Sequence, residues 1–148
     1  MRISPQVTAN DIRDSNPQAL FNYVAGELGQ RGLVYLHVIE GDTTGRPTAE
    51  FDYAALRRVF GGLYIANYDF DKQRANAAIA ERRADMVAFG KPFIANPDLV
   101  VRLLLNAPLL EVDPSTMYGG AEEGYTDYPI LHTLRQHASH DHRDTAWG

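Results

Sequence analysis

The 148-residue sequence has no cysteine. That excludes disulfides, thiolate metal sites and a cysteine nucleophile, and it suits a reducing cytoplasm, the compartment expected for the chain. Long apolar runs are also missing. None approaches the ~20 residues of a membrane-spanning helix, and residues 1–10 lack the extended apolar core of a signal peptide. Positive charge is in deficit: 14 Lys and Arg stand against 19 Asp and Glu, a formal net charge of −5, and no basic cluster is interleaved with aromatics. The electrostatic footprint of a nucleic-acid binder is therefore absent.

What remains is an ordinary globular composition, 45% hydrophobic and 22% charged, in a length that suits one domain with a real core and is short for two. Short apolar runs alternate with helical patterns, the form of βα units and a parallel sheet. Leu33 to Val38 (LVYLHV), Leu63 to Ala66 (LYIA) and Met86 to Phe89 (MVAF) are near-continuously apolar, as expected of strands buried on both faces, and Arg2 to Ser4 is a partial fourth. Asn16-Pro17 supplies a helix cap and a first-turn proline ahead of Leu20, Phe21, Val24 and Leu28, and Gly29 and Gly32 close that pattern. Phe51, Ala55, Leu56, Val59 and Phe60 form a second stripe, and Ala75, Ala78 and Ile79 a third. Asn96-Pro97 opens a fourth with Val100, Leu103 and Leu104.

Four βα units over about 105 residues amount to half of an eight-stranded barrel, which typically needs roughly 250. A half-barrel has two open sheet edges and an uncovered inner face, so self-association or association with another chain is expected. From Pro108 the sequence turns loop-like, and residues 137–148 read as a polar tail after a folded part at 1–136.

Several constellations carry no chemistry. His137, His140 and His142 lie in the polar tail with no element to set a fourth ligand, so no metal site is expected. His37, inside a strand pattern, reads as a hydrogen-bonded core or rim residue. Asp11, Asp14, Glu40, Asp42 and Glu50 follow strand ends, but no distinctive spacing pairs them. Gly26, Gly29 and Gly32 lie within and after a helix, unlike a dinucleotide fingerprint.

Three segments in order do carry a signal: Arg2-Ile3-Ser4-Pro5, Ala88 to Leu99 (AFGKPFIANPDL) and Met117 to Pro129 (MYGGAEEGYTDYP). Together they resemble the Old Yellow Enzyme family of NADH:flavin oxidoreductases, or ene reductases. The resemblance implies an α/β fold, the C-terminal half (strands five to eight) of a TIM (β/α)8 barrel with parallel strands and outer helices. It implies an FMN-dependent NAD(P)H oxidoreductase that reduces activated C=C bonds of small enone-type substrates. The chain would be a fragment or subunit of it, completed by a homo-oligomer or by a separately encoded N-terminal half-barrel.

It further implies cofactor-binding positions. Arg2 matches a family arginine at the pyrimidine edge of FMN, where a fixed cation stabilises the charge that reduction places on the ring. Gly90 and Lys91 match a glycine amide and an arginine on the FMN phosphate; lysine keeps the charge without the bidentate fork. Asn67 and Tyr68 stand where the family has small residues, one a glycine, beside that phosphate, and Asp69 adds a carboxylate. A bulky Tyr68 and a nearby negative charge are expected to weaken FMN binding. Tyr118 matches a tyrosine flanking the flavin and substrate pocket, and Met117 there replaces a phenylalanine. Read alone, these residues are a terminal arginine, a strand-to-loop turn and loop packing. No catalytic residue is assigned: the family's substrate-clamping His/Asn or His/His pair and proton-donor tyrosine belong to the first four strands, so the isolated chain is expected not to turn over. The alternative is a non-catalytic half-barrel or decayed remnant that has lost FMN.

Overall fold

The computed structural model describes residues 1–8, 14–42, 50–117 and 121–131. The chain divides into two compact units, Met1–Phe89 and Gly90–Gly148.

The first unit is built around a parallel sheet in the order β1 (Arg2–Ile3), β2 (Tyr35–Ile39), β3 (Leu63–Asn67), β4 (Met86–Ala88). Helices α1 (Pro17–Gln30), α2 (Tyr53–Phe60) and α3 (Lys72–Ala80) make the crossovers. Each starts at a side chain that satisfies an otherwise orphaned amide. Asn16 accepts from the Ala19 amide, Asp52 from Ala55 and Asp71 from Arg74, at 3.2, 2.8 and 2.7 Å. Glycine ends α2: Gly61 adopts φ 71°, and its amide reaches the Arg57 carbonyl.

The ladder sets which side chains share a face. Arg2 pairs with His37, His37 with Ile65 and Ile65 with Met86, while Ile39 pairs with Asn67 and Asn67 with Ala88. On the other face Leu36, Val38, Tyr64 and Ala66 are buried with Ala25, Leu56, Phe60 and Ala78 of the helices, and these residues form the core. The expectation of strands buried on both faces is thus corrected. Tyr35, Leu63 and Met86 remain 44%, 46% and 43% exposed, so one face of the sheet packs on helices and the other is open.

The second unit contains α4 (Lys91–Ala95) and α5 (Leu99–Leu105). A helix at Lys91–Ala95 replaces the loop expected after the fourth strand, and that strand ends at Ala88 rather than Phe89. In this unit Arg102, 1% exposed, is fully buried. Its guanidinium donates to Asp98 Oδ1 at 2.7 Å and to the Pro108 and Pro129 carbonyls at 2.8 and 3.0 Å. Asn96 exchanges hydrogen bonds with the Leu110 backbone. Together they tie the extended segment after α5 to the helix. The tail at 137–148 and its three histidines lie outside the described residues.

Candidate functional site

In the first unit the candidate residues gather on the open face of the sheet. Arg2 is exposed and stands opposite His37 in the β1–β2 ladder. The expectation of a hydrogen-bonded His37 is not met, because its Nε2 is buried with no partner among the described residues. Burial and then the positive charge of Arg2 lower its pKa from the ordinary 6.5 and favour the neutral ring. Arg2 is thereby a fixed cation on this face, with an imidazole beside it whose neutral form is favoured. The orphaned nitrogen carried no signal in the sequence, since LVYLHV is apolar on both sides of the histidine.

Asn67 ends β3 on the same face. Its side-chain amide donates to the Ala88 carbonyl at 2.7 Å, and its own carbonyl accepts from the Glu40 amide at 2.8 Å. It is fixed by three strands at once.

Tyr68 departs from ordinary backbone geometry, with φ 151°, and Asp69 follows at φ 45°. Both values lie where glycine is favoured over side-chain-bearing residues. The Tyr68 ring lies against Gly41, itself at φ 137°, where an added Cβ would meet the ring at 2.6 Å. The Tyr68 hydroxyl donates to the Asp42 carbonyl at 3.2 Å, and the Asp42 carboxylate accepts from the Thr8 hydroxyl at 2.8 Å. The side chain is therefore committed to the loop after β2. The Asp69 carboxylate has Arg74 at 3.7 Å, which offsets part of the repulsion it would exert on an anion.

Behind the sheet, Glu40 accepts from the Tyr64 hydroxyl at 2.7 Å. Burial raises the Glu40 carboxyl against the pull of that hydrogen bond, and burial and the nearby Glu40 raise the Tyr64 phenol. In the sequence Glu40 is one of several loop carboxylates with no distinguishing spacing.

In the second unit Gly90 precedes α4 as its cap, makes no side-chain cap bond and has open space where a Cβ would stand. Lys91 opens the helix and is exposed. Tyr118, the remaining candidate, lies outside the described residues. Among the described residues no group of three His, Cys, Asp or Glu could hold a metal, and no helix is long and apolar enough to cross a membrane.

A four-stranded parallel βαβ sheet with helices on one face and the other face open defines a class, the α/β folds. The comparisons make it particular. The family model described as "NADH:flavin oxidoreductase / NADH oxidase family" matches residues 1–109, and the chain belongs to this, the Old Yellow Enzyme, family. It is 38% identical over 141 residues to a putative 12-oxophytodienoate reductase 3 of Oryza sativa subsp. japonica, covering 92% of the chain and 37% of the relative. A probable flavin mononucleotide-dependent alkene reductase of Leishmania infantum is 37% identical over 131 residues, covering 88% and 35%. The old yellow enzyme structure from Trypanosoma cruzi superposes with a TM-score of 0.82 at 38% identity, covering 88% of the chain and 34% of that structure. The chain thus spans about a third of the length of the relatives it matches.

Proposed function

We propose that the chain provides strands five to eight of an FMN-dependent NAD(P)H oxidoreductase barrel of the ene-reductase type. It works as a fragment or subunit, on small enone-type substrates, in the cytoplasm. The observation that carries this reading is the open sheet face bearing Arg2 and the unpartnered His37 Nε2. A buried polar atom without a partner is costly, and further polypeptide closing the barrel gives it one. That polypeptide is a second copy or a separately encoded N-terminal half-barrel. Residues 1–136 are the barrel-derived part and 137–148 its tail.

The residues present fit FMN in their chemistry. When bound and reduced by NAD(P)H, FMN supplies the hydride for C=C reduction. Arg2 holds positive charge for the pyrimidine edge, and the neutral His37 beside it adds no proton to that edge. Asn67 keeps its position through the Ala88 bond. Separately, Gly90 and Lys91 offer an unobstructed backbone and a cation for a phosphate, and Tyr118 is a pocket-wall residue. Turning the Tyr68 ring onto Gly41 and pairing Asp69 with Arg74 lessen, without removing, the two obstacles to phosphate binding.

Titration of FMN into the chain, alone and mixed with the N-terminal portion of a relative, tests the reading through flavin fluorescence. Quenching in the mixture, weakened at least ~10-fold by Arg2→Gln, is expected, corresponding to about 1.4 kcal/mol. Absence of quenching in both arms overturns the cofactor assignment and leaves the non-catalytic half-barrel.

A further inference from the structure

The helix layer of the first unit is packed unevenly. α1 meets α2 through glycine, since a Cβ on Gly29 would stand 2.3 Å from the Phe60 carbonyl oxygen. Between α2 and the turn joining α3 to β4 the layer opens into a cavity of about 650 Å³, lined by Glu40, Tyr53, Arg57, Arg58, Arg82 and Arg83 together with smaller neighbours. Its size is that of a small-molecule site. It lies on the helix side of the sheet, away from the face that bears Arg2 and His37.

The cavity is basic, with four arginines against two glutamates in its wall. Two of the arginines are committed: Arg57 pairs with Asp85 and Arg83 with Glu81, each at 2.7 Å, whereas Arg58 has Asp52 only at 3.8 Å. Arg82 makes no ion pair among the described residues.

Arg82 is also out of place by the rules of backbone geometry. It follows the cap of α3 in the left-handed region, at φ 56°. At the corresponding turns α1 uses Gly32 at φ 72°, α2 uses Gly61 at φ 71° and α5 uses Asn106 at φ 52°, the residue types that tolerate this conformation. The turn is held locally by the Arg82 amide, which donates to the Ile79 carbonyl of α3 at 3.0 Å, and from outside by the Arg57 guanidinium, which donates to the Arg82 carbonyl. An arginine kept where glycine is favoured, at the wall of a basic cavity, points to a role for its side chain.

We propose that this cavity binds a phosphate group, free or carried on a small organic molecule, with Arg82 as the anchoring cation. A guanidinium presents a planar fork that meets two oxyanion oxygens at once. Arg58, 70% exposed in its side chain and loosely held by Asp52, supplies a second cation. Burial raises the Glu40 carboxyl and the Tyr64 hydroxyl donates to one of its oxygens, which together lessen the repulsion an anion would meet. Tyr53 and Ala54 give an apolar wall for an organic body.

Isothermal titration of the full 148-residue chain with inorganic phosphate and, separately, with AMP tests the proposal at low salt. Saturable binding is expected, with a Kd of ~1 mM or tighter. AMP binding ~10-fold tighter than phosphate identifies an organic phosphate as the ligand, and equal binding identifies the free anion. Arg82→Gly is expected to raise Tm, by relieving the left-handed turn, and to weaken binding at least ~10-fold. Arg82→Asn, which also tolerates that turn, is expected to lose affinity in the same way. Binding of neither probe, unchanged affinity in both variants, or a lowered Tm in both overturns the proposal.

Discussion

Arg2 and His37 stand opposite each other in the ladder between β1 and β2, the first exposed and the second with a buried, unpartnered Nε2. Two basic groups so placed disfavour a second positive charge, and burial acts in the same direction on the ring. The His37 titration followed by NMR is expected below 6.5, and Arg2→Gln is expected to move it upward by removing one of its causes. An unchanged titration in the variant would leave burial and the N-terminal ammonium as the causes. Because the folded-state pKa is depressed, the unfolded chain binds the proton more readily. The contribution of His37 to stability is therefore present above pH ~6.5 and lost as pH falls through the folded value.

How much was legible in the sequence follows from how local each signal is. The Asn16-Pro17 start of α1 rests on neighbouring residues, and it stands as expected. Lys91–Ala95 is too short to display a 3.6-residue period, so α4 was invisible. The strand Tyr35–Ile39 is apolar on both faces apart from His37, which hides the fact that Leu36 and Val38 are buried while Tyr35 is exposed. Periodicity reports contrast, and here there is none. The choice of Arg2, Asn67, Tyr68, Gly90, Lys91 and Tyr118 as candidates rests on family resemblance alone. The commitment of Tyr68 to Gly41 and Asp42 is a contact between loops about 26 residues apart, beyond the reach of local pattern.

The α1–α2 contact separates two glycines of the same helix. A Cβ at position 29 would meet backbone at 2.3 Å, whereas one at position 26 would meet only Val59 Cγ1 at 3.2 Å. Backbone cannot swing aside, so Gly29→Ala is expected to destabilise by about 1–3 kcal/mol. Gly26→Ala gains up to ~1 kcal/mol of helix propensity against a mild crowding of a flexible methyl, and its net effect is expected to be within about 1 kcal/mol of zero. Urea unfolding of the two variants checks the contrast; equal losses would mean that α1 and α2 are not held at this distance.

Glu40 is a carboxyl raised by burial even though it accepts from Tyr64. A raised folded-state value means that the folded chain binds this proton more readily than the unfolded one. Its stabilising contribution is thus complete below the ordinary carboxylate pKa and lost as pH rises through the folded value. Glu40→Gln keeps an acceptor for the Tyr64 hydroxyl and removes the buried charge. Thermal unfolding is expected to give the variant a higher Tm than the parent at pH 7, with the gap closing towards pH 3. A lower Tm at pH 7 would show the ionised form to be the favoured one.

In the second unit, Arg102 binds Asp98 and two proline carbonyls at 1% exposure. Burial alone would push Asp98 up, but the Arg102 hydrogen bond and the Leu131 amide outweigh it and hold the carboxyl below its usual range. Removing the arginine leaves a carboxylate and two carbonyls to satisfy. Arg102→Ala is therefore expected to cost this unit about 3–5 kcal/mol. Lysine brings charge but cannot reach three acceptors in a planar fork, so Arg102→Lys is expected to recover only a small part of the loss. The depressed Asp98 adds a pH signature, with stability present above the ordinary carboxylate pKa and lost as pH falls through the folded value. Hydrogen exchange resolves the effect by segment: Leu110 and Leu131 amides should lose protection in both variants. Protection retained at these amides in Arg102→Ala would mean that Asn96 and Asp98 hold the segment without it.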